Sequence, residues 1–333
     1  MANWIVEDQI YGEIEIIEPV LLDLLSTEAL QRLRNIHQAG ALYLVRPGKH
    51  TSRYEHSVGV MLLVRRLGGS VEEQIAALIH DVSHTAFSHV IDRVFENSAE
   101  DYHEHHFAQL VQQSAIPAIV ERYGFSLTRL LDTERWSLLE QPLPDLCADR
   151  LDYTLRDLSQ AGLVEREEIA QFLAALSVSQ GRIVLTDMQA GTWFIKAYTR
   201  LLFEVFANPL TLYANELLAQ IISSAYRRGI LSERDFFLDD EQLLSRLRRG
   251  GDPEIVASLA VLNPELRAVN DPDNFEFHVP LKFRSVDPLI LSEHGGLQHC
   301  SELSSSVKES LGKLKQQFQR AGFVRRVNTA VSK

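Results

Sequence analysis

The stretch Val71-Glu72-Glu73-Gln74-Ile75-Ala76-Ala77-Leu78-Ile79 has the apolar spacing of an amphipathic helix, and its inner stripe runs without a break into His80-Asp81. Ionisable side chains that continue a core-facing stripe are costly to bury unless they are paired or bound to a metal. Adjacent His and Asp side chains reach one ion together only where the backbone between them is held rigidly, as at the C-terminus of a packed helix. Two residues of the same chemistry, His56 ahead of the pair and Asp149 behind it, fall where other amphipathic helices begin or run. His56, His80, Asp81 and Asp149 are therefore the candidate ligands of one divalent cation. Imidazole and carboxylate donors suit Mn, Fe, Co, Ni or Zn, and Mg is kept among the candidates.

Helical periodicity extends through most of the chain, over 20–39, 55–67, 71–79, 99–113, 146–159, 167–176 and 192–228. Strand-like alternation is confined to 12–17, 182–186 and 275–283. The fold class predicted is mainly α, a helical bundle with small peripheral β pieces and a short α+β C-terminal lobe. Gly250-Gly251-Asp252-Pro253 and Asn270-Asp271-Pro272-Asp273 set the predicted division, a catalytic core over 1–250 and a lobe over 251–333. Within that lobe 302–320 reads as one more amphipathic helix.

The 333 residues are 45% hydrophobic and 23% charged, enough to bury a large core, and the formal charge of −12 predicts no general attraction for nucleic acid or an anionic membrane. A polyphosphate substrate would need a local basic pocket. Residues 1–9 lack the pattern of a signal peptide, and no apolar run approaches the ~18 residues of a membrane span, so the expectation is a cytoplasmic protein. Cys147 and Cys300 suggest neither a disulfide framework nor a cysteine-based zinc site.

Nine of the twelve histidines lie between His37 and His106. A single one, His37 or His50 for example, reads as an ordinary hydrogen-bonded surface histidine, but the set as a whole calls for chemistry. A cation on the first four ligands would polarise a phosphoryl oxygen and lower the pKa of a bound water, an arrangement for hydrolysis. After the metal pair come His84, His89 and Asp92, then His103. One of these imidazoles can protonate a leaving oxygen while Asp92 orients a ring. On the helix opened by Asp149, Tyr153 and Asp157 follow at i+4 and i+8 on one face, with Arg150 beside them, so ligand, phosphate and sugar contacts can share a cleft.

In order along the chain, Asp8-Gln9-Ile10-Tyr11-Gly12-Glu13-Ile14, Gln31-Arg32-Leu33-Arg34-Asn35-Ile36-His37-Gln38, Arg53-Tyr54-Glu55-His56-Ser57-Val58-Gly59-Val60, the His80 to Asp92 run, Asp149-Arg150-Leu151-Asp152-Tyr153 and Ser285-Val286-Asp287-Pro288 resemble the HD-domain superfamily. More narrowly they resemble its deoxynucleoside triphosphate triphosphohydrolase branch, which includes bacterial dGTPases and the animal enzyme joining a SAM to an HD domain. The resemblance implies an HD-type helical bundle with the chemistry within about 50–160, a metal on His56, His80, Asp81 and Asp149, and phosphate contacts from Arg53 and Arg150. It implies a catalytic set of His84, His89, Asp92 and His103, with His89 placed to protonate the sugar 5′ oxygen. It also implies deoxyribose contacts, from Gln38 and Asp157 to the 3′-hydroxyl and from Tyr153 to the 2′ carbon, and a homo-oligomer.

Two features depart from that family. Ser83 and Thr85-Ala86 flank His84 where the family carries glycines and a proline, and Phe206 to Leu212 offers no basic residue for the outer phosphates, leaving Lys196 or Arg200 as the nearest. The expected reaction is dNTP plus water to deoxynucleoside plus triphosphate. The alternatives are an HD phosphatase or phosphodiesterase on another nucleotide or phosphoester, a two-iron HD oxygenase using the surplus histidines, and a nucleotide-binding regulator without turnover.

Overall fold

A computed structural model describes residues 4–327; residues 1–3 and 328–333, which fall inside the two predicted regions, lie outside the described residues. Four helices build the centre: Arg53–Arg66, Val71–Ile79, Ala148–Gln160 and Met188–Arg200. The first starts where Ser52 and Glu55 form a reciprocal capping box, and the second where Ser70 accepts from Glu73 N. The Arg53–Arg66 helix packs against both Val71–Ile79 and Ala148–Gln160, which brings three ligand-bearing elements to one point.

The β pieces are small and peripheral, as predicted. Trp4–Asp8 and Gly12–Ile16 form an antiparallel hairpin with Trp4 opposite Ile16. A four-stranded sheet runs in the order Leu176–Ser179, Arg182–Leu185, Leu289–Leu291, Leu297–His299, its only parallel pairing joining Leu185 to Ile290. Ala268–Asn270 and Phe277–His278 flank Phe323–Arg326 in a third sheet. Of the predicted 275–283 strand only Phe277–His278 pairs in that sheet, because Pro280 has no N–H to continue the ladder.

Three predicted helices prove to be broken, each at a capping residue. The 20–39 segment divides into Pro19–Leu25 and Glu28–Arg32, with Thr27 accepting from Leu30 N, and then a single tight turn, Leu33–Asn35. The 192–228 segment divides at a wide π turn, Leu201–Phe206, after which Asn208 caps Pro209–Arg227; proline suits the first turn of a new helix and cannot continue an old one. In 302–320, Ser304 separates Cys300–Leu303 from Ser305–Phe318.

Buried apolar side chains form two clusters, the larger around the central helices and the smaller around Pro209–Arg227. The Gly250-to-Pro253 signal is locally a turn between helices: Gly251 adopts φ +69° and Asp252 caps Pro253–Leu259. Both clusters draw residues from either side of it, Val286 and Phe318 joining the larger and Ile255 and Val279 the smaller. Cys147 and Cys300 are free and buried. Among the described residues no helix is long and apolar enough to cross a membrane.

The Arg53–Arg66 and Ala148–Gln160 helices approach closely at Gly59, where an added Cβ would lie 2.0 Å from both Arg156 Nη2 and Asp152 Oδ2. Gly59→Ala is expected to destabilise the fold by on the order of 3 kcal/mol, through overpacking and disruption of a buried ion pair. A urea unfolding midpoint indistinguishable from that of the parent would refute this account.

Candidate metal centre

His56 lies one turn into the Arg53–Arg66 helix, His80 caps the C-terminus of Val71–Ile79 with Asp81 next, and Asp149 opens Ala148–Gln160. Their ligand atoms converge. Asp149 Oδ1 stands 2.9 Å from His56 Nε2 and 3.7 Å from His80 Nε2, while the Asp81 oxygens stand 3.4 Å from His80 Nε2 and 3.8 Å from His56 Nε2. Both rings are oriented from behind. His56 Nδ1 donates to Asp152 Oδ1 at 2.8 Å, and His80 Nδ1 donates to the Ala77 carbonyl at 2.7 Å, which leaves each Nε2 facing the carboxylates. His80 Nε2 is buried with no hydrogen-bond partner.

Burial would lower the His56 pKa, but Asp149 and Asp152, with Asp81, outweigh it and hold the imidazole up to about 10. Three carboxylates around two imidazoles favour positive charge at this point, and an unpartnered Nε2 beside them fits a divalent cation better than it fits a closed hydrogen-bond network.

Behind the centre is a second layer whose role was not anticipated. Arg156, 2% exposed, donates through Nε and Nη2 to the two Asp152 oxygens at 2.9 and 2.7 Å and through Nη1 to Asp8 Oδ2 at 3.0 Å. Asp8 Oδ1 also accepts from Ile10 N and Tyr11 N, closing the turn of the N-terminal hairpin. The hairpin is thereby tied through Arg156 and Asp152 to the ring of His56. Asp8 and Asp152 belong to the motifs that carry the resemblance and Arg156 does not; the helical i, i+4 spacing of Asp152 and Arg156 is the signal that the sequence offers.

The histidines of the second set also meet. His84 Nε2 lies 3.3 Å from Asp81 Oδ1, the His84 and His103 rings stack at 3.8 Å, and His89 stands edge-on to both, at 5.1 and 5.4 Å. Burial, helped by Arg53 and by His103, drives His84 well below the usual histidine pKa, and burial with the charge of His89 pushes His103 down to about 3. Both are neutral near pH 7. His89 is the open member, its side chain 42% exposed, with Nδ1 held by Asp92 Oδ2 at 3.0 Å. Burial works against the Asp92 charge, yet the His89 contact outweighs it and keeps the carboxyl below its ordinary range. Groups with ligand spacing are His56-His80-Asp149 at the centre and, beside it, Asp81-His84-His103, His89-Asp92-His103 and Glu140-Cys147-Asp149.

His89 follows Phe87 and Ser88, which adopt φ +60° and +54°, a left-handed conformation costly for side chains other than glycine. Asp240, fully buried at the start of the Asp240–Arg249 helix, holds this turn: Oδ1 accepts from Phe87 N at 2.6 Å, while Oδ2 accepts from His37 N and Nδ1 at 3.0 and 2.8 Å. Ser88 Oγ donates to the His37 carbonyl and accepts from Arg53 Nε, both at 2.9 Å. Arg53 also donates to Asp81 Oδ2 at 2.8 Å.

The predicted sugar contacts lie together on one wall. Gln38 Nε2 donates to Asp157 Oδ2 at 3.4 Å, Gln38 Oε1 has no partner, and the Tyr153 and Tyr198 hydroxyls are 3.2 Å apart. Arg150, expected at the phosphates, commits its terminal nitrogens elsewhere, to the carbonyls of Asp145 at 2.6 Å and Gln141 at 3.1 Å and to Cys147 Sγ at 3.2 Å. Only its Nε is left without a partner.

Comparison with known proteins bears on the family and the fold. Residues 53–157 match the family described as the HD domain. The chain is 42% identical to the uncharacterized protein YdhJ of Bacillus subtilis, over 93% of this chain and 94% of that one. It is 34% identical to the metal-dependent phosphohydrolase cns2 of Cordyceps militaris, over 85% and 84%. A weaker likeness, 28% identity, links 59% of this chain to 40% of the Homo sapiens deoxynucleoside triphosphate triphosphohydrolase SAMHD1. The solved structure of a hypothetical protein from Aquifex aeolicus superposes with a TM-score of 0.70 over 92% of this chain and 93% of that one, at 19% identity, a likeness of fold. The molecule is thus a metal-dependent hydrolase of mainly helical fold. It belongs to the HD-domain phosphohydrolases, and its cofactor is a divalent metal ion.

One carboxylate of the site works against the fold. Burial raises the Asp157 pKa from 3.8 to about 6. A buried acid with a raised folded pKa destabilises once ionised, so the penalty grows from about pH 4 to about pH 6 and is fully present above that, at ~3 kcal/mol. Asp157→Asn is therefore expected to stabilise the protein at pH 7 by up to ~3 kcal/mol, with the gain vanishing below about pH 4. Denaturant titrations at pH 4 and pH 7 that give equal changes would refute it.

Proposed function

We propose that the protein is a deoxynucleoside triphosphate triphosphohydrolase, converting a dNTP and water to a deoxynucleoside and inorganic triphosphate. The observation that carries this reading is the wall beside the candidate metal centre. The Tyr153 ring, 6.5 Å from that of His56 and 6.1 Å from that of Phe206, gives an apolar face to a sugar carbon without a hydroxyl, and the unpartnered Gln38 Oε1 beside Asp157 suits a neighbouring hydroxyl. A relative named for this activity supports the reading.

His56, His80, Asp81 and Asp149 would hold the cation, which when bound supplies Lewis acidity toward the phosphate nearest the sugar and a more acidic water. Arg53, already anchored on Asp81 and Ser88, adds a fixed positive charge at the same phosphate. His89 donates the proton that the sugar 5′ oxygen needs as the P–O bond breaks, with Asp92 fixing its ring and balancing its charge. Neutral His84 and His103 orient the phosphate oxygens. Gln38 and Asp157 bind the 3′-hydroxyl.

A second reading, hydrolysis of a nucleotide with fewer phosphates, is favoured by one observation: no lysine or arginine occurs from Leu201 through Tyr226. A product assay on metal-loaded protein, with each dNTP and its mono- and diphosphate, separates the two. Deoxynucleoside and intact triphosphate in equal amounts are expected; release of single phosphates, or turnover of the shorter nucleotides alone, would overturn the leading reading.

Asp81→Ala should lose metal and activity together while keeping its helical circular dichroism, and a metal-replete, active variant would refute the ligand set. His89→Ala should keep its metal by elemental analysis and lose roughly 10²- to 10⁴-fold in turnover. Loss of metal from that variant would instead make His89 a ligand.

A further inference from the structure

A tail of phosphates needs cations, and no lysine or arginine occurs from Leu201 through Tyr226. Two cations stand near the site from far along the chain. Residues 280–286 form an extended strap in which Leu281 and Phe283 lie against the larger core, Phe283 meeting the Phe318 ring at 5.6 Å, and Val286 is fully buried. Between these anchors Lys282 and Arg284 reach the Ala99–Glu100 turn: Lys282 Nζ donates to the Ala99 carbonyl at 3.2 Å, and the Arg284 guanidinium pairs with the Glu100 carboxylate.

Arg284 is 29% exposed, and its partner Glu100 stands three residues before His103, in a turn tied to the same set of side chains because Tyr102 N donates to Asp92 Oδ1 at 3.0 Å. Glu100 adopts φ +61°, and although burial opposes its charge, its neighbours, Arg284 among them, hold its carboxyl below the ordinary glutamate range. An anion three residues before His103 is thus already held by an arginine anchored by the strap. A phosphate carries more charge than a carboxylate and offers more acceptor oxygens to the guanidinium fork.

We propose that Arg284, with Lys282 beside it, forms the subsite for the outer phosphates of the substrate, and that the Glu100 carboxylate holds this subsite until a phosphate displaces it. The identity of the tail rests on the triphosphate reading above; the anion site does not. Phosphate-tail recognition thereby comes from the C-terminal segment and makes up for the absence of lysine and arginine from Leu201 to Tyr226.

The test is calorimetric titration of the metal-loaded protein with inorganic tripolyphosphate, alongside dNTP and dNMP kinetics. Arg284→Met should weaken tripolyphosphate binding roughly 10- to 100-fold and raise KM for dNTP more than it lowers kcat, and Arg284→Lys should recover part of the loss. Glu100→Gln should tighten binding. Wild-type tripolyphosphate affinity in a folded Arg284→Met variant would overturn the subsite, and unchanged or weaker binding in Glu100→Gln would overturn the placeholder role. If the parent turns over only short nucleotides yet binds tripolyphosphate through Arg284, the triphosphohydrolase reading fails and the subsite stands. If dNTPs are turned over and neither KM nor tripolyphosphate binding responds to Arg284, the reverse holds.

Discussion

Three elements at the centre of this molecule meet at one buried cation, the guanidinium of Arg156. A charge taken out of water must be matched by charge and hydrogen bonds at short range. Here the match comes from Asp152 on the same helix and Asp8 on the N-terminal hairpin. The requirement brings the hairpin, the Ala148–Gln160 helix and the Arg53–Arg66 helix to one place, and the third can approach only because Gly59 has no side chain. Asp152 then has a second task, to fix the ring of His56. Neutralising a structural charge and orienting a ligand are accomplished by the same carboxylate.

The reactive side is held by a comparable device. Two consecutive non-glycine residues in the left-handed region cost of order 1 to 3 kcal/mol each. Phe87 and Ser88 keep that conformation because Asp240 binds the Phe87 amide and Ser88 binds both Arg53 and the His37 carbonyl. The turn sets the direction in which His89 leaves the backbone, and Asp92 completes its orientation. Stability given up at Phe87, Ser88 and Asp157 is recovered in bonds reaching the Asp240–Arg249 helix and the 36–53 segment, so the cleft is rigid where chemistry needs fixed geometry.

Much of this was legible in the residues. The 71–79 stripe running into His80-Asp81 signalled a buried polar centre, and the 3.6-residue period correctly assigned the Val71–Ile79 and Ala148–Gln160 helices to within two residues at either end. What misled was continuity. Apolar spacing persists across Thr27, Asn208-Pro209 and Ser304, and there capping side chains and proline override the period. At 250–253 glycine and proline mark a turn between helices, and such residues report backbone conformation without reporting which elements share a core.

The chemical class was readable from residue order: ionisable residues at the ends of apolar helices have few stable fates, a divalent-metal centre is one of them, and the motifs around it resemble the HD superfamily. The partners that make the centre work are set by the packing of distant segments. Asp8 lies 148 residues from Arg156 and Arg284 lies 184 from Glu100, separations over which helical or strand periodicity carries no information. Arg150 shows the same limit in reverse, since its spacing aimed it at the cleft and the carbonyls of the 141–145 loop took its donors instead. Within one element, geometry follows from the order of residues; between elements it follows from which buried charges and hydrogen-bond donors must find one another when the chain compacts.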